Sequence, residues 1–129
     1  MDYAHISLAA EDDFAVVTMR RPERRNALSE AHLRELLHAF EAIGAGAARG
    51  AILAADGPVF SAGHDFSDMN GRHLGEMRRL LLLCAELMQT IQAIPQPVIA
   101  QAAGLATAAG CQLVATCDLA VAGASSRFQ

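Results

Sequence analysis

The segments Phe60-Ser61-Ala62-Gly63-His64-Asp65-Phe66 and Gly104-Leu105-Ala106-Thr107-Ala108-Ala109-Gly110-Cys111-Gln112-Leu113 hold the residues best suited to chemistry. Each places small side chains where a strand gives way to a helix, and so leaves backbone N–H groups bare toward a cleft. Two such groups, each roughly 2.7–3.1 Å from one oxygen, stabilise negative charge that develops on it. Gly63 frees the backbone to turn sharply, and Ala62 and Ala106 keep the cleft open. Competing chemistries have less support. Ser61 and His64 lack a G-x-S-x-G elbow and an assigned acid, so a serine hydrolase is not indicated. Cys111 reads as a small buried hydrophobe rather than a nucleophile. His5, His32, His38 and His73 are scattered without metal-ligand spacing, and no metal is expected.

Two more segments join these loops in order. Arg21-Pro22-Glu23-Arg24-Arg25-Asn26-Ala27-Leu28-Ser29 precedes them, and Cys117-Asp118-Leu119-Ala120-Val121-Ala122 follows. Together the four resemble the crotonase (enoyl-CoA hydratase/isomerase) superfamily, over nearly the whole chain but only about the first half of a usual member. Within it, His64 after Ser61-Ala62-Gly63 and the run Gly104–Asp118 are most similar to the enoyl-CoA hydratase domain-containing proteins. The resemblance implies an α/β fold, the crotonase-like ββα spiral, left incomplete because its C-terminal turns and helices are absent. Residues 1–129 are then the N-terminal portion of a single crotonase-fold domain.

The resemblance also implies a function, stabilising the enolate of an acyl-CoA thioester between the N–H groups of His64 and Ala109. The first turn of a helix, where Ala109 falls, favours such charge. Around them, Arg24, Arg25, Ala27, Ala62, Asp65, Phe66, Ser67 and Ala106 stand at substrate-binding positions. Coenzyme A enters as part of the substrate and no separate cofactor is expected. A full-length member is implied to be a homo-oligomer, trimer or hexamer. The departures matter as much. Gln112 stands where the family's hydratases carry a Glu that handles water, and a carboxamide cannot take a proton. Loss of general-base help costs about 10²–10⁴ in rate. The partner Glu would fall about three residues past Gln129, and Ser67 replaces a Lys that many relatives place near the CoA phosphates. Three readings stay open: an enzyme with weak hydratase activity or another acyl-CoA reaction, a non-catalytic acyl-CoA-binding or regulatory protein, and an inactive fragment. The side chain of His64 reads as passive beside its N–H, with an acid–base role as the alternative.

Composition narrows the class further. A length of 129 residues allows at most one domain, and 53% hydrophobic with 19% charged residues fits a globular chain. The net charge of −4 argues against a nucleic-acid partner. No apolar run reaches the ~20 residues of a membrane span; Arg79 and Glu86 close the longest, Leu80–Ala85. All ten basic residues are arginine, so anion contacts fall to Arg, backbone or helix N-termini. Arg20, Arg21, Arg24 and Arg25 cluster, either as a solvated turn or near the CoA phosphates. Met1-Asp2-Tyr3-Ala4 lacks the basic-then-apolar order of a secretory signal. Three cysteines without CxxC spacing suit a reducing compartment, and a cytoplasmic address is expected.

The elements that must carry the loops follow from pattern. Residues 5–8 and 14–19 read as strands about a Glu11-Asp12-Asp13 turn, and Pro22 ends the second. Ser29 is the expected N-cap of a helix whose stripe is Leu33, Leu36, Leu37, Phe40 and Ile43, ended by Gly44 and Gly46. Gly50–Ala55 is a buried strand. A long helix is expected from His73 to Ala93 with Leu74, Met77, Leu81, Cys84, Met88 and Ile91 inward. Pro95 and Pro97 break it before a strand over 98–103. A short helix over 108–116 completes the second strand–turn–helix unit.

Overall fold

A computed structural model describes all 129 residues. Strands β1 (Ile6–Glu11) and β2 (Phe14–Met19) form an antiparallel hairpin through Asp12 and Asp13. Beyond it the chain winds in ββα turns. The first is β3 (Gly50–Ala55), β4 (Val59–Ser61), the short α2 (Phe66–Met69) and the long α3 (Leu74–Ala93). The second is β5 (Val98–Ala102), β6 (Leu105–Ala106) and α4 (Ala109–Thr116), and β7 (Leu119–Ala122) with β8 (Arg127–Phe128) starts a third. Each turn adds one strand to each of two sheets. The large sheet runs β1-β2-β3-β5-β7, parallel after the hairpin, and the small parallel sheet runs β4-β6-β8. This is the expected α/β spiral.

Helix α1 (Glu30–Ala45) lies between β2 and β3 in sequence and packs beside α3. Ser29 caps it as its residue type demands, its Oγ accepting the N–H of His32 at 3.2 Å. The stripe Leu33, Leu36, Phe40 and Ile43 is buried, each fully buried Leu contributing about 2 kcal/mol. Only Gly46 ends the helix. Gly44 lies inside it, where a Cβ would sit 2.6 Å from Cγ2 of Ile94. His32 and Glu35 also turn inward, which the apolar stripe did not foretell.

Helix α3 begins one residue later than expected; Cys84, Met88 and Ile91 turn inward as expected, and its first half presents a different face. Leu80, Leu83, Cys84, Leu87, Met88 and Ile91 are buried, whereas Leu74 and Leu81 face solvent. The run Leu80–Leu83 supports either stripe, and contact with α1 settles the rotation. Strand β3 is largely buried along its length, as suits a central parallel strand. The apolar β7 is instead exposed throughout, with Leu119 and Val121 more than 60% accessible. No helix is long and apolar enough to cross a membrane.

A polar cluster ties the N-terminus to α1. The Glu35 carboxylate accepts the N–H groups of Ala4 and His5, each at 2.7 Å. Burial works against its charge, yet those two bonds and the His5 ring hold the carboxyl below the usual range. His32 stacks on His5 with ring centroids 5.9 Å apart. Burial drives its imidazole down to about 4, against a raising contribution from its bond to Ala27. In the unfolded chain His32 titrates near 6.5, so between these values only the unfolded state takes the proton. Stability is therefore expected in full above pH 6.5 and to fall as the pH drops to about 4, by roughly 3 kcal/mol from His32 alone. The depressed carboxyl of Glu35 adds a loss of the same sign at and below the usual carboxylate range. Denaturant melts in steps from pH 7.5 to 4 measure this, and in His32→Leu the slope between pH 6.5 and 5 should fall clearly, leaving the contribution of His64, whose imidazole is also lowered by burial.

Candidate active site

Two loops leave the C-terminal ends of β4 and β6 side by side. Gly63 makes the close approach possible. With φ at 90° it occupies a region that side chains rarely adopt, and a Cβ would lie 3.2 Å from the Ala109 nitrogen and 3.1 Å from Cβ of Ala108. Gly110, on the first turn of α4, likewise leaves room for the Ser61 carbonyl. The loops are also cross-bonded. Ser61 is fully buried, its carbonyl accepting the Thr107 N–H at 3.0 Å and its Oγ the Gly63 N–H at 3.2 Å. The same hydroxyl donates to the Asn26 carbonyl at 2.9 Å, which accounts for this serine without any nucleophilic role.

The N–H groups around this junction divide sharply. Those of Ala62, Gly63, Thr107, Ala108 and Gly110 have partners, to Arg25 O, Ser61 Oγ, Ser61 O, Gln129 O and Thr107 O. Those of His64 and Ala109 have none within the chain. As the first residue of α4, Ala109 has no acceptor behind it in its helix, and the helix dipole adds positive potential there. Ala108 reaches this arrangement at φ 52° and ψ −123°, a conformation costly for a residue with a Cβ.

A third segment holds the first loop. Leu28 bridges to His64, its N–H donating to Gly63 O at 2.7 Å. Asn26 is fully buried; its Oδ1 accepts the Arg21 N–H at 2.8 Å, and its Nδ2 donates to the carbonyls of Asp56 and Val59, both at 2.9 Å. Ala27 is buried beside it, and its carbonyl accepts from Nδ1 of His32 at 3.1 Å. Sequence reading did not single out Asn26 or Ser61 as clamps. For Ser61, a polar type inside an apolar and small-residue stretch was the available signal; Asn26, directly after two arginines, gave none.

Asp65 caps α2 and gathers cations. Its carboxylate accepts the N–H of Ser67 at 3.0 Å and the hydroxyl at 2.6 Å, with Nη2 of Arg24 at 3.2 Å and Nη2 of Arg21 at 3.8 Å. The bond from the Ser67 hydroxyl leads the contributions that keep this buried carboxyl below its ordinary value, with Arg24 adding to it. Arg24 also reaches Ser67 Oγ at 3.1 Å. The expected arginine cluster thus separates. Arg20 lies on Asp56, Arg21 turns inward to Ser29 Oγ and Ala27 O, and Arg24 stands over α2. Arg25 lines a cavity of about 630 Å³ with Pro58, Gly104 and Arg127, at the entry ends of the small sheet's strands and away from the loops.

The remaining expected residues are placed as follows. Ala106 is buried at the end of β6, and Phe66 on α2 is 82% exposed. Gln112 is exposed on α4, about one turn short of its end. Burial pushes the His64 imidazole below its ordinary value, so it is neutral at pH 7. Its Nδ1 is shut from solvent without a hydrogen-bond partner. The site thus offers two free N–H donors in a water-restricted junction, a neutral imidazole, a carboxamide and one guanidinium at its margin. That combination suits stabilising an oxyanion more than moving protons.

Comparisons with known proteins identify the family and the fold. A family model described as enoyl-CoA hydratase/isomerase matches residues 9–129. The rat mitochondrial enoyl-CoA hydratase domain-containing protein 3 is 41% identical over 127 residues, covering 95% of this chain and 41% of that protein. A short-chain-enoyl-CoA hydratase of Clostridium acetobutylicum is 30% identical, over 99% of this chain and 50% of its own. The crystal structure of an enoyl-CoA hydratase from Mycobacterium smegmatis superposes with a TM-score of 0.94 at 41% identity, over 98% of this chain and 50% of that one. The human enoyl coenzyme A hydratase domain-containing protein 3 gives 0.94 at 37%, over 97% and 50%. The chain spans about half the length of the relatives it matches. The expected cytoplasmic address does not stand, because the rat, zebrafish and human relatives are mitochondrial proteins. It rested on the leading residues and on cysteine usage, and free thiols do not separate one reducing compartment from another.

Two substitutions follow from the geometry. Ala108→Gly removes the steric cost of the positive φ and gives back part of it as unfolded-chain entropy, so a net gain of about 1 kcal/mol is expected. Asn26→Ala strands the Arg21 N–H and two carbonyls, so a loss on the order of 3 kcal/mol is expected. Urea melts of both variants against the parent check the two signs.

Proposed function

The chain belongs to the enoyl-CoA hydratase/isomerase family, and from that premise we propose that it binds an acyl-CoA and polarises the thioester carbonyl between the N–H groups of His64 and Ala109. The single observation that carries this reading is that the N–H groups of His64 and Ala109, on two loops cross-bonded through Ser61, Gly63 and Thr107, have no acceptor within the chain. An enolate oxygen seated there takes two hydrogen bonds from donors already fixed in place, so little reorganisation accompanies the charge.

The margin of the site supplies the coenzyme contact. Ser67 lacks the charge that many relatives carry at its position, but the guanidinium of Arg24 lies on its hydroxyl. We assign Arg24 as the cation for the CoA phosphates, held by Asp65 and still about half exposed. Arg25, Ala27, Ala62 and Ala106 then contribute backbone and shape rather than charge.

Gln112 limits the reaction. Its amide can orient water or a substrate oxygen but cannot accept a proton, and the neutral His64 is partly buried. The reading is therefore of an acyl-CoA protein whose enolate chemistry, if it turns over, does not run through a hydratase carboxylate at position 112. A purely acyl-CoA-binding role is the second reading, favoured by the same carboxamide.

Calorimetry with butanoyl-CoA against free CoA tests the assignment. Ala109→Pro deletes one donor at the first helical position; its cooperative unfolding is checked first, because the Ala108 backbone crowds a following proline. It is expected to weaken the thioester-specific part of binding, or turnover, by about 10²–10³, while Arg24→Gln weakens butanoyl-CoA and free CoA alike. Absence of any CoA-thioester affinity in the parent protein removes the assignment. Hydration of an enoyl-CoA at the rate of a two-carboxylate hydratase removes the role given to Gln112.

A further inference from the structure

We propose that His32 is a positioning residue for the oxyanion site, holding the Ala27–Leu28 peptide so that the N–H of His64 keeps its aim. This inference rests on the oxyanion reading above. His32 is fully buried on the first turn of α1, far in sequence from both loops. A carbonyl is its only partner, so Nδ1 carries the proton and donates to Ala27 O at 3.1 Å. The same peptide group donates the Leu28 N–H to Gly63 O at 2.7 Å, and that carbonyl shares its own peptide with the His64 N–H. The imidazole therefore acts on the His64 N–H through two hydrogen-bonded peptide groups, Ala27–Leu28 and Gly63–His64. The Ala27 carbonyl also accepts from Nη1 of Arg21 at 3.3 Å and from the Ser29 N–H at 3.1 Å. Arg21 is itself divided among Ser29 and Asp65, which leaves His32 as the one side chain dedicated to that carbonyl.

A purely space-filling role does not account for the residue type. Nε2 of His32 is buried with no partner, a standing cost that an apolar side chain of similar size avoids. The ring is kept neutral by burial among His5 on the N-terminal segment, Arg21 before α1 and Glu35 on α1. A neutral ring keeps Nδ1 as the donor and puts no extra cation against Arg21. What the buried imidazole supplies that a leucine would not is the hydrogen bond to Ala27.

The experiment compares His32→Asn with His32→Gln, since the Asn amide nitrogen falls near the position of Nδ1 and that of Gln does not. Each variant and the parent is checked for cooperative unfolding and titrated with butanoyl-CoA labelled with ¹³C at the thioester carbonyl. The expected result is a downfield carbonyl shift in the parent, retained largely in Asn and mostly lost in Gln. Dissociation constants should stay within about threefold, and any turnover should fall at least about tenfold in kcat for Gln with KM little changed. Gln matching or exceeding Asn overturns the positioning role, because volume alone favours Gln. A parent that binds without any carbonyl shift, or does not bind, overturns the oxyanion reading and this inference with it. A parent that shifts the carbonyl while both variants do the same overturns only the assignment of His32.

Discussion

The side chain of Asn26 organises the region on which everything else rests. Buried in a left-handed turn, it bonds back to Arg21 and forward to the carbonyls of Asp56 and Val59, and its own carbonyl takes the Ser61 hydroxyl. One residue thus stitches the end of β2, the turn after β3 and the whole of β4. A buried amide is costly unless its groups are paired, and here each of its two polar ends is. The Oγ of Ser61 then passes the constraint to Gly63, and its carbonyl passes it to Thr107. The two loops are set relative to one another by polar bonds inside a junction with little room to shift.

Two local strains are tolerated for that geometry. Gly63 can adopt its positive φ cheaply, but Ala108 cannot, and the surrounding bonds hold it there. The Ala108 N–H is fixed to Gln129 O, and Gly110 and Gln112 are bonded back to Thr107 and Ala108. These bonds turn the Ala109 N–H out of the backbone network. Electrostatics at the margin work the same way. Asp65 is nearly buried and yet ionised because Ser67 and Arg24 bond to it, so a charge that would be costly alone becomes the anchor that orients a cation.

Much of this was legible before any coordinates. Strand β2, the Ser29 cap, β3 and α4 fall within a residue of where pattern puts them, because turn residues, a capping hydroxyl and short apolar runs act locally. The rotation of the first half of α3 was not legible, although Cys84, Met88 and Ile91 further on were. Four consecutive leucines satisfy two stripes equally, and the choice belongs to the surface of α1. The strands β4, β6 and β8 were missed for a related reason: they are two or three residues long, too short for alternation to show.

At the site the same division holds. The amino-acid sequence alone determined which loops carry small residues, that residue 112 is a carboxamide, and that only arginine is present to meet anions. Those are properties of single side chains and need no partner. Tertiary structure decided which N–H groups stay unpaired, which arginine of the early cluster reaches Ser67, and that Arg25 points to another cavity. It also decided that His32, which sequence left among scattered histidines, is buried against Ala27. A hydrogen bond between residues far apart in the chain depends on the path of the backbone between them, and that path is fixed by packing of α1, α3 and the two sheets together.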